Sequence, residues 1–419
     1  MNPAEIVGRI PFTGLLRELI TIGLLELVRA RIFTSKESEI QERITEYMEK
    51  LSDKFKSDFS GMSSSKIVLN DRSAYFIKSK RLTKWYGESG VPQDYIGLMI
   101  YVLENTSKLL KKKKIDFIES LNNISIGREV VLGRKYHDSL AIVPAVIKQA
   151  EFYEFQHEFL KPTAGEKPEI LLDPIWFAVL AIGFLICFAG YYGGGYYFIT
   201  REGVEAIFGD AEKTQQVYNA VTNLTATHVK IKPLPYSEEL YELRLSYGLA
   251  YSKIVIDREA FPLKVYEISL VGNAYTCTRV ILIDLTKTIE YLQAYIDNLH
   301  TPNQAFFQVK LKNNQYDNPI HALLELAERE IQKPVKGDNS MLLLTFVKDL
   351  YRAIHVGSPN LMEETLLRML RISHSILTTK EKVDPLLRET FKKFMYEPHV
   401  SAVINACKGR IYDGSDLNI

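Results

Sequence analysis

The sequence predicts an α+β protein with a helix-rich, mixed α/β multi-layer body and a helical bundle at the C-terminus. Apolar residues recur at helical spacing near the N-terminus and again after residue 321, whereas short β-branched segments interrupt the middle of the chain. At 419 residues, 46% hydrophobic and 25% charged, the chain has a globular composition and is long enough for two or three domains.

The first predicted domain covers residues 1–160. Its expected elements are two amphipathic helices (11–32 and 35–59), a β-hairpin (66–69 and 74–77), a further helix (95–121) and a short strand (126–132). Residues 161–168 contain two prolines and a glycine, which are typical of a linker. We therefore expect a domain boundary at about residue 160.

An apolar run at residues 175–192 dominates the second predicted domain, residues 161–320. Asp173 and Pro174 are suited to cap and begin a helix, and Gly193–Gly195 would stop it before a strand at 196–200. As one helix the run would be about 27 Å long, close to the thickness of a bilayer. It therefore predicts either a helix buried in a folded domain or a membrane span. Its defined ends and the lack of a Lys/Arg bias around it favour the buried helix.

The rest of the middle is predicted to be mixed α and β, with a helix over 202–222 and strands at 253–256 and 279–283. From residue 321 the strand signals fade. Helical periodicity over 340–354, 362–377 and 385–395 predicts the third domain, a helical bundle at 321–419.

The three cysteines are far apart and odd in number, which indicates a reducing compartment and excludes a zinc site made of cysteines alone. Charged residues interrupt the N-terminal apolar segment, so it does not resemble a secretory signal. We expect a cytoplasmic protein without a metal or a cofactor.

No catalytic signature is found: the chain lacks a Walker loop, a G-x-S-x-G elbow, an H-E-x-x-H pair and a dinucleotide-binding glycine motif. His137 and Asp138 could form the centre of a metal-dependent nuclease or phosphohydrolase, but His157, a further candidate ligand, lies on a different predicted segment. We therefore expect no enzymatic activity, with the hydrolase kept as an alternative.

Positive charge is concentrated between residues 60 and 148, where 15 Lys/Arg stand against 8 Asp/Glu although the whole chain is only +1. Basic residues interleaved with aromatic ones are typical of nucleic-acid binding, in which cations contact phosphates and rings stack on bases. The alternative is a solvated basic surface. The predicted nucleic-acid-binding residues are Lys78, Lys80, Arg81, Lys84, Trp85, Lys111, Lys112, Lys113, Lys114, Arg128, Arg134 and Lys135.

The helix predicted from Pro174 to Phe184, the glycines after it and the Tyr196–Ile199 strand resemble the central signature of the large subunits of type I CRISPR effector (Cascade) complexes. The opening Phe12–Leu16 helix and the helical C-terminus also fit this family. The isoleucine- and lysine-rich composition resembles the archaeal type I-A branch.

The resemblance implies an antiviral defence protein without catalytic activity. Such subunits bind crRNA and target DNA near the flanking motif, assemble with backbone and small subunits, and recruit a separate nuclease-helicase. Some family members carry a cysteine-rich zinc motif, which this sequence lacks. The alternatives are a membrane-anchored protein with one span at 175–192, whose basic region would contact anionic lipid, and the His137-centred hydrolase.

Overall fold

A computed structural model describes residues 2–408 except 63, 65, 68–80, 88–89, 91, 128, 149–168, 235, 273, 300–306, 312–313, 334–337 and 379–383. The α+β class is confirmed, because helices predominate and three small sheets accompany them. The described chain forms two compact units, Met1–Val229 with Pro262–Leu282 and Lys230–Phe261 with Ile283–Ile419. These units divide the chain differently from the three predicted domains.

The described helices, in chain order, are α1 (Pro3–Gly8), α2 (Gly14–Arg29), α3 (Glu37–Asp58), α4 (Arg81–Tyr86), α5 (Tyr95–Lys111), α6 (Phe117–Asn122), α7 (Pro174–Cys187), α8 (Ala211–Ile231), α9 (Glu238–Tyr251), α10 (Thr286–Leu299), α11 (Pro319–Ile331), α12 (Asp338–Val356), α13 (Pro359–Thr378), α14 (Pro385–Phe394) and α15 (Glu397–Lys408). The described strands are β1 (Ile124–Ile126), β2 (Val130–Leu132), β3 (Ala141–Ile142), β4 (Ile170–Leu172), β5 (Phe188–Tyr192), β6 (Gly195–Thr200), β7 (Leu263–Val271), β8 (Ala274–Ile283), β9 (Val309–Leu311) and β10 (Asn314–Tyr316).

Helix α7 is the centre of the first unit, and every one of its residues is buried. It packs against α2 and α5, and α5 packs in turn against α3. The α2–α7 contact is close because two glycines lie at the crossing. A Cβ built on Gly183 would lie 1.7 Å from the carbonyl oxygen of Leu19, and one built on Gly23 would lie 2.1 Å from that of Val179. The helix predicted inside the second domain therefore belongs to the core of the N-terminal unit.

The start of α7 agrees with the prediction, because the Asp173 side chain accepts a hydrogen bond from the backbone N–H of Trp176 and Pro174 occupies the first turn. The predicted end is wrong. The helix stops at Cys187, and the remaining apolar residues form strand β5, which pairs with β6. Gly193 and Gly194 have φ values of 57° and 85°, as a two-residue hairpin turn requires. The predicted strand at 196–200 is confirmed as β6.

The 175–192 run is therefore a helix followed by a strand and not a single span. Of the helices in the described part of the chain, none combines the length and the apolar character that crossing a membrane needs.

Two four-stranded sheets lie mainly in the first unit. One has the order β1-β2-β4-β3, with β2 and β4 parallel, and the other has the order β5-β6-β7-β8. The strand predicted at 126–132 is two antiparallel strands, β1 and β2, joined through Gly127. The helix predicted at 95–121 is likewise two helices, α5 and α6. The predicted hairpin over 66–77 lies largely outside the described residues. The linker at 161–168 does so entirely.

The second unit is mainly helical, as predicted for the C-terminus. Its helices α9 to α15 share one hydrophobic core, with Leu323, Leu350 and Phe391 fully buried. The strand predicted at 253–256 is wrong, because this segment is irregular and leads into a short 3₁₀ helix at Arg258–Ala260.

Candidate nucleic-acid interface

An open cleft of about 1040 Å³ lies within the first unit. It is formed by one face of α3, the end of α5 and the turn after it, the start of α6, the loop after β2 and the start of α7. Its charged lining residues are Glu42, Glu46, Glu49, Lys111, Lys113, Lys114, Asp116, Glu119, Arg134, Lys135 and Asp173. The cleft therefore combines two of the basic segments that the sequence singles out with carboxylates that it does not.

The lysine run reaches the cleft because α5 ends within it. Lys113 adopts a left-handed conformation (φ 52°), and its N–H bonds to the carbonyl of Leu110 at 2.9 Å, so the chain turns sharply after the helix. The Gln41 side chain of α3 fixes this turn. It donates to the Ile115 carbonyl at 2.8 Å and accepts from the Phe117 N–H at 3.1 Å. The turn that carries the lysines is thus anchored to α3 at its C-terminal side.

The second basic segment, Arg134 and Lys135, is held by Asp173. The Asp173 carboxylate accepts hydrogen bonds from the Arg134 N–H at 3.0 Å and from the Trp176 N–H at 2.9 Å. The Ser120 hydroxyl donates to the same carboxylate. Gly133 has φ 93°, and a Cβ there would lie 2.0 Å from Asp173, so only glycine fits this close approach. One buried side chain thus fixes both the start of α7 and the basic loop.

Burial raises the pKa of Asp173 from an ordinary value of 3.8 to about 6. Because the pKa is higher in the folded state, ionisation of Asp173 opposes folding: the stabilising contribution is complete below about pH 4 and is lost as the pH rises to about 6. We expect the unfolding free energy of the wild type, relative to Asp173→Asn, to fall between these pH values and to stay level above them. Urea unfolding of both proteins across this range measures the difference. If the unfolding free energy of the wild type, relative to Asp173→Asn, rose with pH over this range, the pKa of Asp173 would not be raised by folding.

All the cleft cations are exposed, but two are in ion pairs. The Lys111 ammonium lies 3.2 Å from Glu49, and the Arg134 guanidinium pairs with Glu119. Within the described part of the chain, Lys113, Lys114 and Lys135 take part in no ion pair. These three cations are the ones most accessible to an external phosphate.

The remaining predicted residues have different placements. Lys112 is exposed but does not line the cleft, and Lys84 is exposed on α4. Lys78, Lys80 and Arg128 lie outside the described residues, as does the side chain of Arg81, so their contacts stay predictions.

Trp85 is the clearest departure from the predicted site. Only 4% of its surface is exposed, and its indole N–H donates to the Ser139 carbonyl at 3.3 Å. A ring in this position has no free face on which a base could stack. The structure therefore gives Trp85 a packing role, joining α4 to the turn at residues 136–139.

His137 and Asp138 form the two central positions of that turn, with φ values of 51° and 53°. The flanking Tyr136 and Ser139 are paired by two backbone hydrogen bonds of 3.1 Å. Both central side chains are exposed. No group of three or more metal-binding side chains occurs among the described residues.

The cleft residues that sequence analysis did not identify are the carboxylates that line it beside the basic segments. Glu42, Glu46 and Glu49 are spaced so that they lie on one face of α3, and this amphipathic pattern was visible in the sequence. Their proximity to the lysine run was not visible, because it depends on how α3 packs against α5.

A comparison with known protein families identifies the family of the chain. The sequence pattern of the family described as CRISPR-associated protein (Cas_Csx9) matches residues 32–404. The chain belongs to this family. All of the residues that line the cleft fall inside the matched part. No curated protein and no solved structure matches the chain. The predicted CRISPR association is thereby confirmed.

Proposed function

We propose that this Cas_Csx9 protein is the non-catalytic large subunit of an RNA-guided CRISPR surveillance complex of type I-A. In this role it binds target DNA near the flanking motif, supports assembly with crRNA and the backbone and small subunits, and recruits the nuclease-helicase. Family membership supports a role in CRISPR defence. The resemblance of α7 and the glycines and strand that follow it supports the specific subunit.

The observation that carries the proposal is the shared cleft. Residues 111–114 and 134–135 are separated by about twenty residues in sequence, yet cations from both segments line one cavity. Cations that converge from separate segments can follow consecutive phosphates of a strand, which a single isolated run on a solvated surface does not do. In a complex where guide pairing reads the sequence, contacts to phosphates suffice to position the nucleic acid.

The test is a variant in which Lys113, Lys114 and Lys135 are all replaced by Ala. We expect weaker DNA binding by the assembled complex, to a similar degree for different sequences, because phosphate contacts carry no sequence information. The slope of log K against log salt should become shallower by about 0.9 for each duplex phosphate that a lysine no longer neutralises. Stability should change by less than about 0.5 kcal/mol, since the side chains are exposed.

Lys112→Ala is the control for the triple variant, because Lys112 is an exposed lysine next to Lys113 that does not line the cleft. The control should retain wild-type affinity. A triple variant with wild-type affinity and salt slope would show that these lysines are ordinary solvated surface residues, and it would contradict the proposed interface.

Two further measurements test the subunit assignment. The protein purified from its native host should carry crRNA and partner subunits, which sequencing of the RNA and mass spectrometry would identify. The purified chain should show no turnover of DNA, RNA or nucleotide triphosphates with divalent metals. Metal-dependent turnover that His137→Ala abolishes would instead favour a hydrolase.

A further inference from the structure

Two carboxylates in the cleft compete with an incoming phosphate for the cleft cations. Glu49 and Glu119 are paired with Lys111 and Arg134, and the two carboxylate side chains are 41% and 51% exposed. Ion pairs exposed to this degree contribute little stability and exchange partners readily. An incoming phosphate can therefore take Lys111 or Arg134, but only by displacing a carboxylate that already neutralises it.

The other carboxylates of the cleft make the binding of a phosphate chain still less favourable. Six Asp/Glu and five Lys/Arg line the cleft, so its formal charge is close to zero although the region between residues 60 and 148 is basic. Glu42 and Glu46 extend the row of carboxylates along α3. A simple polyanion would thus meet about as much repulsion as attraction. Lys113, Lys114 and Lys135, which form no ion pair with the described residues, would by themselves attract any polyanion.

Nucleic acids differ from simple polyanions because their bases carry amino groups. A carboxylate accepts hydrogen bonds from such groups, for example from N4 of cytosine. Carboxylates next to cations therefore weaken the binding of a polyphosphate chain, which they repel. A nucleic-acid strand with unpaired bases can offset this repulsion, because its amino groups donate hydrogen bonds to the carboxylates. This is the general pattern of specificity by a repulsive element beside an attractive one.

We propose that Glu49 and Glu119 are specificity-determining residues, which hold Lys111 and Arg134 in ion pairs so that the cleft rejects polyanions lacking bases. This inference rests on the proposed function, since it assumes that the cleft binds nucleic acid. It predicts that removing the two negative charges increases binding of a simple polyanion more than binding of a nucleic acid.

The experiment compares the full-length wild type with a Glu49→Gln, Glu119→Gln double variant. The probes are inorganic polyphosphate and a mixed-sequence single-stranded DNA of equal charge. In the wild type, polyphosphate must open two exposed ion pairs before it can bind both cations, and the double variant does not pay this cost. We therefore expect the double variant to bind polyphosphate roughly 2- to 30-fold more tightly than the wild type. The gain for DNA should be smaller, and the salt dependence of polyphosphate binding should become steeper.

Glu104→Gln is the matched control. Glu104 is a comparably exposed carboxylate paired with Lys56 and Lys108, each at 3.0 Å, and it does not line the cleft. This variant should bind both probes as the wild type does. The proposal is overturned if the double variant binds polyphosphate no better than the wild type or Glu104→Gln does, or if both probes gain equally.

The triple lysine variant separates this failure from that of the proposed function. If it loses DNA affinity while the double glutamine variant behaves as the wild type, only the selectivity inference fails. If it retains DNA affinity, the proposed nucleic-acid interface itself fails, and with it the inference.

Discussion

Leu180→Ala is expected to lower the free energy of unfolding of the first unit by about 2–5 kcal/mol. Leu180 lies in the middle of α7 with no exposed surface, so its truncation removes buried apolar area and leaves a cavity that packed helices cannot fully close. Urea unfolding followed by tryptophan fluorescence measures the change, because both tryptophans, Trp85 and Trp176, belong to this unit.

Leu282→Ala is the control for the same chemical change at a solvated position. Leu282 is 63% exposed on β8, and its truncation should alter stability by no more than about 0.5 kcal/mol. Equal effects of the two substitutions would mean that α7 is not the buried centre of the unit.

Gly183→Ala is expected to destabilise the same unit by about 3 kcal/mol or more, although alanine is the better helix former. The added Cβ would lie 1.7 Å from the Leu19 carbonyl oxygen and 3.0 Å from the Gly23 nitrogen. Both atoms belong to the backbone of α2, so the clash cannot be relieved by a side-chain rotation. The two helices would have to separate, and the packing along their interface would loosen.

The matched control is Gly8→Ala, because Gly8 is also helical, lacks a positive φ and has no atom within 4 Å of a built Cβ. This substitution should be neutral or stabilising by up to about 1 kcal/mol. The same unfolding measurement compares both variants. A Gly183→Ala protein as stable as the wild type would show that α2 and α7 do not cross this closely.

The beginning of α7 could be predicted from the sequence because it depends on neighbouring residues: Asp173 caps the first turn and Pro174 suits it. Its end could not, because residues 188–192 contain no charged residue and no proline that would mark a stop. What makes them a strand is pairing with β6 and, through it, the sheet that continues to β7.

The basic segments of the cleft were also identifiable, since charge density is a local property of the chain. Their partners were not. Glu49 pairs with Lys111 across 62 positions, a contact that arises only because α3 packs against α5. Trp85 is a different case. Its position beside basic residues suggested that its ring stacks on bases, but the fold buries the ring.

The sequence by itself therefore determined the α+β class, the helical C-terminus, the start of the central helix and the basic character of one region. These follow from periodicity, capping and composition, which act over a few residues. Only the tertiary structure decided that α7 crosses α2 at two glycines and that Asp173 fixes the basic loop. It also decided that carboxylates neutralise part of the cleft. Each of these depends on distances between residues far apart in the chain, which packing sets and local sequence does not encode.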